Sequence, residues 1–189
     1  MATVLLFHHL QGLTPGVVAF ADALREAGHT VHTPDLFGGR TFASIEEGAA
    51  FTHLDDAPDV DALADAAAAE LPADVVYLGF SFGVMPAQQL AQTRPGARGA
   101  VLMSGCLPVS EFGDAWPEGV PVQVHGKEGD PFFEEDLEAA RALVESAGGA
   151  ELFLYTGEQH LFADSSLPAY DPAATKVLIE RVLGFLERA

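Results

Sequence analysis

Asp74-Val75-Val76-Tyr77-Leu78-Gly79-Phe80-Ser81-Phe82-Gly83 decides how this chain is read. Val75 to Leu78 is a short, β-branched and apolar run that follows Pro72, the mark of a buried strand. Val84 to Gln92, rich in Ala, Leu and Gln, has the composition of a helix. Between them Gly79, Ser81 and Gly83 spell G-x-S-x-G. Strand, sharp turn and helix in that order form a nucleophile elbow, which lifts a serine above the sheet at a helix N-terminus. Strand and helix nearly collide there, so the flanking residues must be small, and the two glycines supply that. The helix dipole and the free N–H groups of its first turn favour a developing anion. The plain alternative is a Gly-rich turn carrying a solvent-exposed serine.

Outward from the elbow, strands and helices alternate. Thr3 to His8 reads as a first strand, apolar nearly throughout, and Thr14-Pro15 as the cap and first position of a helix ending at Gly28. His29 to Thr33 is a second strand, followed by a loop and a weakly periodic stretch through Asp56. Val60 to Glu70 is an Ala-rich helix, Gly99 to Met103 a fourth strand, and Ser104 to Gly119 a long loop. Val120 to His125 and Glu151 to Tyr155 are the last strands, separated by a helix from Phe132 to Ser146. A final helix follows the Asp171-Pro172 cap. This alternation implies βαβ units: an α/β three-layer sandwich with a mostly parallel sheet. No linker or internal repeat interrupts it, so residues 1–189 read as one domain.

Composition narrows the function. A hydrophobic fraction of 49% fits a globular core, and no apolar run approaches a membrane span. The formal net charge of −19 repels nucleic-acid phosphates and anionic membranes, and disfavours anionic substrates. Met1 to Phe7 carries no basic leader, and the single cysteine, Cys106, fits a reducing compartment, so a cytoplasmic location is expected. Cys106 reads as a small core residue, and no cofactor is called for. His8 and His9 are adjacent on a strand and point to opposite faces, so no metal site is read here.

A serine hydroxyl needs a base to take its proton, and the base needs an orienting acid. The loop after the fifth strand contains Glu128, Gly129, Asp130 and Pro131; the loop after the sixth contains Glu158, Gln159, His160 and Leu161. Asp130 and His160 therefore fall on adjacent strand ends, in the order serine, acid, histidine. His160 is the candidate base and Asp130 its partner, with Glu128 the second choice of acid. The alternative for Asp130 is a turn or cap residue before the following helix. The backbone N–H groups of Phe82 and Leu10 are the candidate oxyanion donors. His125 reads as structural and Glu158 as a solvated loop charge. His9, Phe112, Trp116 and Phe162 are the candidate substrate-facing residues; with Phe132 and Phe133, the aromatic residues suggest an apolar acyl pocket.

At these residues the chain resembles the dienelactone hydrolase family of α/β-hydrolases. The likeness covers the first strand and loop through Gly12, Pro34-Asp35-Leu36-Phe37, the elbow, His125-Gly126 through Asp130, and Tyr155 through Phe162. It implies a minimal α/β-hydrolase fold of six or seven strands, without a cap domain and with the same triad. The best-known members carry cysteine where this chain has Ser81, a glutamate at the place of His9, and a carboxylate-gripping arginine at the place of Asp164. These departures point away from an anionic dienelactone and toward a neutral small-molecule ester or lactone, cleaved by a serine–histidine–aspartate mechanism. A fold retained for ligand binding, and acyl transfer, are the rival functions. The sequence leaves the oligomeric state open.

Overall fold

The alternating apolar runs become six parallel strands, seen with their helices in a computed structural model that describes residues 1–189. In chain order the elements are β1 (Thr3–Phe7), α1 (Pro15–Glu26), β2 (Thr30–His32), α2 (Ile45–Thr52), α3 (Val60–Ala69) and β3 (Val75–Phe80). A 3-10 turn (Ser81–Gly83) then leads into α4 (Val84–Thr93), followed by β4 (Gly99–Met103), β5 (Val122–Lys127), α5 (Pro131–Ser146), β6 (Ala150–Tyr155) and α6 (Pro172–Leu186). The strand order is β2-β1-β3-β4-β5-β6. Every neighbouring pair is parallel, and β1 pairs with β3 through Val4 opposite Val76 and Phe7 opposite Gly79.

Side chains alternate across a strand, and here both faces are apolar. Leu5, Phe7, Val75 and Tyr77 join a core under α3, α4 and α5. Val4, Leu6, Val76 and Leu78 join the opposite core, under α1 and α6. The architecture is the three-layer α/β sandwich expected, with no cap domain over the strand ends. The chain steps outward from β1 to β2 and then returns to β3 on the other side. That reversal opens a crevice at the carboxyl ends of β1 and β3, where parallel sheets of this kind bind ligands.

The structure shows a helix, α2, within the weakly periodic stretch that ends at Asp56. Ser44 caps α2 by accepting from the Glu47 N–H at 3.2 Å, while Glu47 Oε2 accepts from the Ala43 N–H at 3.0 Å. Ser-x-x-Glu before an apolar run is a helix-start signature, so the signal was present. Gly48 of α2 sits so close to the Leu10 carbonyl that a Cβ there would overlap it, which brings α2 against the loop after β1.

Two histidines are built into the sheet as neutral groups. His125 is fully buried, with Nδ1 2.9 Å from the Tyr155 hydroxyl and Nε2 3.2 Å from Gln123 Oε1. Burial, helped by the Arg181 charge, pulls its pKa down to about 3. His8 Nε2 accepts from the Leu36 N–H at 3.0 Å, and burial pulls its pKa down to about 4. Both folded values lie below the unfolded value near 6.5. The stability they allow is therefore complete above about pH 6.5 and is lost progressively as the pH falls toward the folded values. Urea unfolding should show stability falling between pH 6.5 and 4, with His125 accounting for a fall on the order of 3 kcal/mol by pH 4, and His125→Gln should remove that part of the slope.

Candidate active site

The elbow is a steric solution as well as a motif. Ser81 adopts φ 49°, a left-handed conformation that costs a non-glycine residue energy. A Cβ on Gly79 would overlap the Gly83 carbonyl oxygen, and one on Gly83 would lie 2.5 Å from the Phe7 carbonyl oxygen. Only hydrogen fits at either flank, so β1, β3 and α4 can close around the serine.

Around Ser81 the structure brings together side chains from three strand ends. Ser81 Oγ lies 2.7 Å from His160 Nε2, and His160 Nδ1 lies 2.6 Å from Asp130 Oδ2. The Asp130 side chain is fully buried and that of His160 is 9% exposed. With its Nδ1 proton donated to the carboxylate, the imidazole presents an unprotonated Nε2 to the Ser81 hydroxyl. Asp130 fills both readings weighed for it, with different oxygens: Oδ2 meets His160, and Oδ1 accepts from the Phe132 N–H at 3.0 Å and caps α5. Glu128, the alternative acid, is exposed, and Glu158 is exposed as well.

The loop that carries His160 is tied down by groups the sequence reading did not single out. Ser104, just past β4 and itself at φ 57°, donates from Oγ to the His160 carbonyl at 2.6 Å. Lys127 at the end of β5 has a side chain only 1% exposed; Nζ donates to Gln159 Oε1 and Asp171 Oδ2, both at 2.7 Å. Its ammonium also sits 5.3 Å above the Phe162 ring. A lysine ending an apolar strand, as Lys127 does, signals such a buried tie only once its partners are known.

A cleft of about 410 Å³ opens above Ser81. Leu10, Phe82, Ile45, Met85, Leu107 and Phe132 supply its apolar lining, and Ser104, Glu135, Asp136 and His160 its polar groups. The Leu10 N–H donates to no acceptor within the protein, and Phe82 stands in the first turn of the helical segment, where N–H groups lack a carbonyl one turn behind. Phe132 stacks obliquely on His160 at 4.8 Å between ring centres. Burial raises the pKa of Asp136, partly offset by the Cys106 N–H that its Oδ2 accepts at 3.1 Å.

Four residues expected to face substrate do not line this cleft. Trp116 turns into the core, where its Nε1 donates to the Val120 carbonyl at 2.7 Å. Phe162 lies in the core on the far side of the sheet, 5.2 Å from Tyr155. Phe112 is half-buried at the end of a one-turn 3-10 segment, Val109–Glu111, away from Ser81. His9 is fully buried: Gln11 N–H donates to its Nδ1, so its Nε2 proton goes to Asp164 Oδ2 at 2.8 Å. The tight turn closed by Gly12 N–H on the His9 carbonyl directs the ring inward. Asp164, expected to repel a substrate carboxylate, is also fully buried, accepting from Thr14 Oγ1 at 2.5 Å and from the Ser166 N–H and Oγ at 2.8 and 2.6 Å. Burial acts to raise its pKa, but the hydrogen bonds from His9, Ser166 and Thr14 outweigh it and hold the value at about 2. The departures at His9 and Asp164 are thus one contact, made beneath the cleft.

Comparison with known proteins places the fold and the family. The model of the dienelactone hydrolase family matches residues 1–189. Among solved structures, the dienelactone hydrolase-like promiscuous phosphotriesterase P91 from metagenomic libraries superposes with a TM-score of 0.77 at 21% identity, covering 100% of this chain and 86% of its own. Dienelactone hydrolase from Anabaena variabilis gives 0.73 at 19% identity, with coverage of 100% and 86%. Est1E from Butyrivibrio proteoclasticus, solved with ferulic acid bound, gives 0.68 at 17% identity, with coverage of 100% and 89%. No curated protein matches the chain significantly. No helix is long and apolar enough to cross a membrane. With a family match over its whole length, and the fold and elbow already described, the chain belongs to the dienelactone hydrolase family.

Proposed function

We propose that the protein is a serine hydrolase of small carboxylic esters or lactones. One observation carries the reading: the unbroken hydrogen-bonded line from Asp130 through His160 to Ser81, ending in an open cleft. His160 Nε2 takes the Ser81 proton as Oγ attacks the carbonyl carbon. Negative charge collects on the carbonyl oxygen, where the N–H groups of Phe82 and Leu10 receive it. His160 then gives the proton to the leaving oxygen, and the acyl group stays on Ser81. Water, activated by the same histidine, releases the acid and restores the serine. Asp130 holds the imidazole in the needed tautomer and stabilises its charged form.

The acidic residues Glu135 and Asp136 on the cleft wall, with a net charge of −19, argue against anionic substrates. A binding role without turnover was motivated by the altered residues at His9 and Asp164, and these pair with each other outside the cleft. Because a family relative is described as a promiscuous phosphotriesterase, a phosphotriester belongs in the substrate screen beside esters.

Intact-mass labelling with a small fluorophosphonate tests the reading. The folded wild type should take one adduct at neutral pH, and Ser81→Ala none. An unlabelled wild type, or an adduct that survives in the variant, rejects Ser81 as an activated nucleophile.

A further inference from the structure

Two cavities meet at the start of α5. The cleft above Ser81 shares Glu135 and Asp136 with a second groove of about 440 Å³, so the two adjoin at these side chains. Phe132, Glu135, Asp136 and Ala139 stand at i, i+3, i+4 and i+7 on α5 and form one stripe along it. The stripe starts against the His160 ring and runs down the second groove, with Val109 and Leu143 adding apolar surface.

Its charge is one-sided. Glu135, Asp136 and Glu138 line these cavities, and no lysine or arginine does. Asp136 is oriented, since its Oδ2 holds the Cys106 N–H at 3.1 Å. A row of carboxylates beside apolar surface attracts a group that is both hydrophobic and cationic.

The end of the stripe at Phe132, which packs on His160, fixes which part of a substrate the groove beyond it meets. The leaving oxygen must lie within hydrogen-bond reach of the residue that protonates it. An alcohol leaving past His160 finds the α5 stripe directly in its path. We propose, resting on the reading of Ser81 as nucleophile, that this groove binds the alcohol part of the ester and favours an apolar alcohol bearing a positive charge.

Acetate esters of choline and of its uncharged isostere 3,3-dimethylbutanol separate charge from shape. At low ionic strength the choline ester should show the higher kcat/KM, by about tenfold. Raised salt should shrink that ratio, and a Glu135→Gln, Asp136→Asn double variant should bring it close to one. Ala139→Phe narrows the groove, so it should lower the hexyl acetate to ethyl acetate ratio of kcat/KM by about tenfold, against less than about twofold for the ethyl hexanoate to ethyl acetate ratio. Equal rates for the two isosteres in the wild type overturn the charge preference. An Ala139→Phe effect confined to the acyl series overturns the assignment to the alcohol. In both cases ester hydrolysis itself stands. Failure to cleave any ester, with no fluorophosphonate adduct on Ser81, removes the hydrolase reading and this inference together.

Discussion

His160→Gln should lower kcat/KM by about 10⁴-fold on any ester the wild type cleaves, with the fold intact. The prediction separates chemistry from structure because the loop is held mainly by other groups. Ser104 grips the His160 carbonyl, a backbone atom that the substitution leaves in place. Lys127 holds Gln159 and Asp171 on either side of the histidine. Glutamine can reach toward Ser81 but cannot shuttle a proton between the serine and the leaving group. Turnover should collapse while the urea midpoint stays nearly unchanged. Asp130→Asn makes the matching test on the acid. Its carbonyl oxygen can still cap α5, but its amide cannot accept the Nδ1 proton. A comparable fall in kcat with α5 intact is the expected result, and near-wild-type turnover in either variant would remove the proton relay from the mechanism.

Asp164→Ala should be among the most destabilising single changes in the molecule, at about 3–5 kcal/mol. The carboxylate is fully buried and satisfies His9 Nε2, Thr14 Oγ1 and both the N–H and Oγ of Ser166. Alanine leaves the buried His9 Nε2–H and Thr14 hydroxyl with no acceptor, so the penalty falls on those two groups, while the exposed Ser166 can turn to water. For a chain of this size the thermal midpoint should drop by about 10 °C or more. The pH dependence gives a second readout. The folded pKa of about 2 lies below the ordinary aspartate value of 3.8, so this stabilisation is present above about pH 4 and fades as the pH falls through 2. The wild type should therefore lose more stability than the variant below pH 4. A loss under about 1 kcal/mol at neutral pH would mean that water replaces the carboxylate and that the contact is dispensable.

What could be read from sequence divides by the kind of constraint. The elbow was legible because backbone collision dictates Gly79 and Gly83, and a steric rule leaves its mark in residue type. Asp130 and His160 were legible from position, since parallel strands deliver their ends to one edge of the sheet. The pocket aromatics were not. Trp116, Phe162 and Phe132 are alike in sequence as aromatic residues near strand ends, but loop curvature sends the first two inward and leaves Phe132 beside the histidine. His9 misled for a related reason: its place beside the elbow was read correctly, but the direction of its ring depends on Asp164, far along the chain. Helix α2 carries a start signal in Ser44 and Glu47, but its weak apolar period hides the helix that follows.

The hydrogen bond between His9 and Asp164 links positions 155 residues apart. Closing so long a loop carries a conformational cost that shorter contacts avoid, so the contact is expected to form late in folding. During synthesis the turn after β1 must wait for nearly the whole polypeptide to leave the ribosome before its anchor arrives. Shortening the chain ahead of residue 164 would strand that turn even if the central strands had assembled. On refolding from urea, helical signal should return before the reactivity of Ser81 toward a fluorophosphonate does, with the delay reporting the union of the turn after β1 with residue 164.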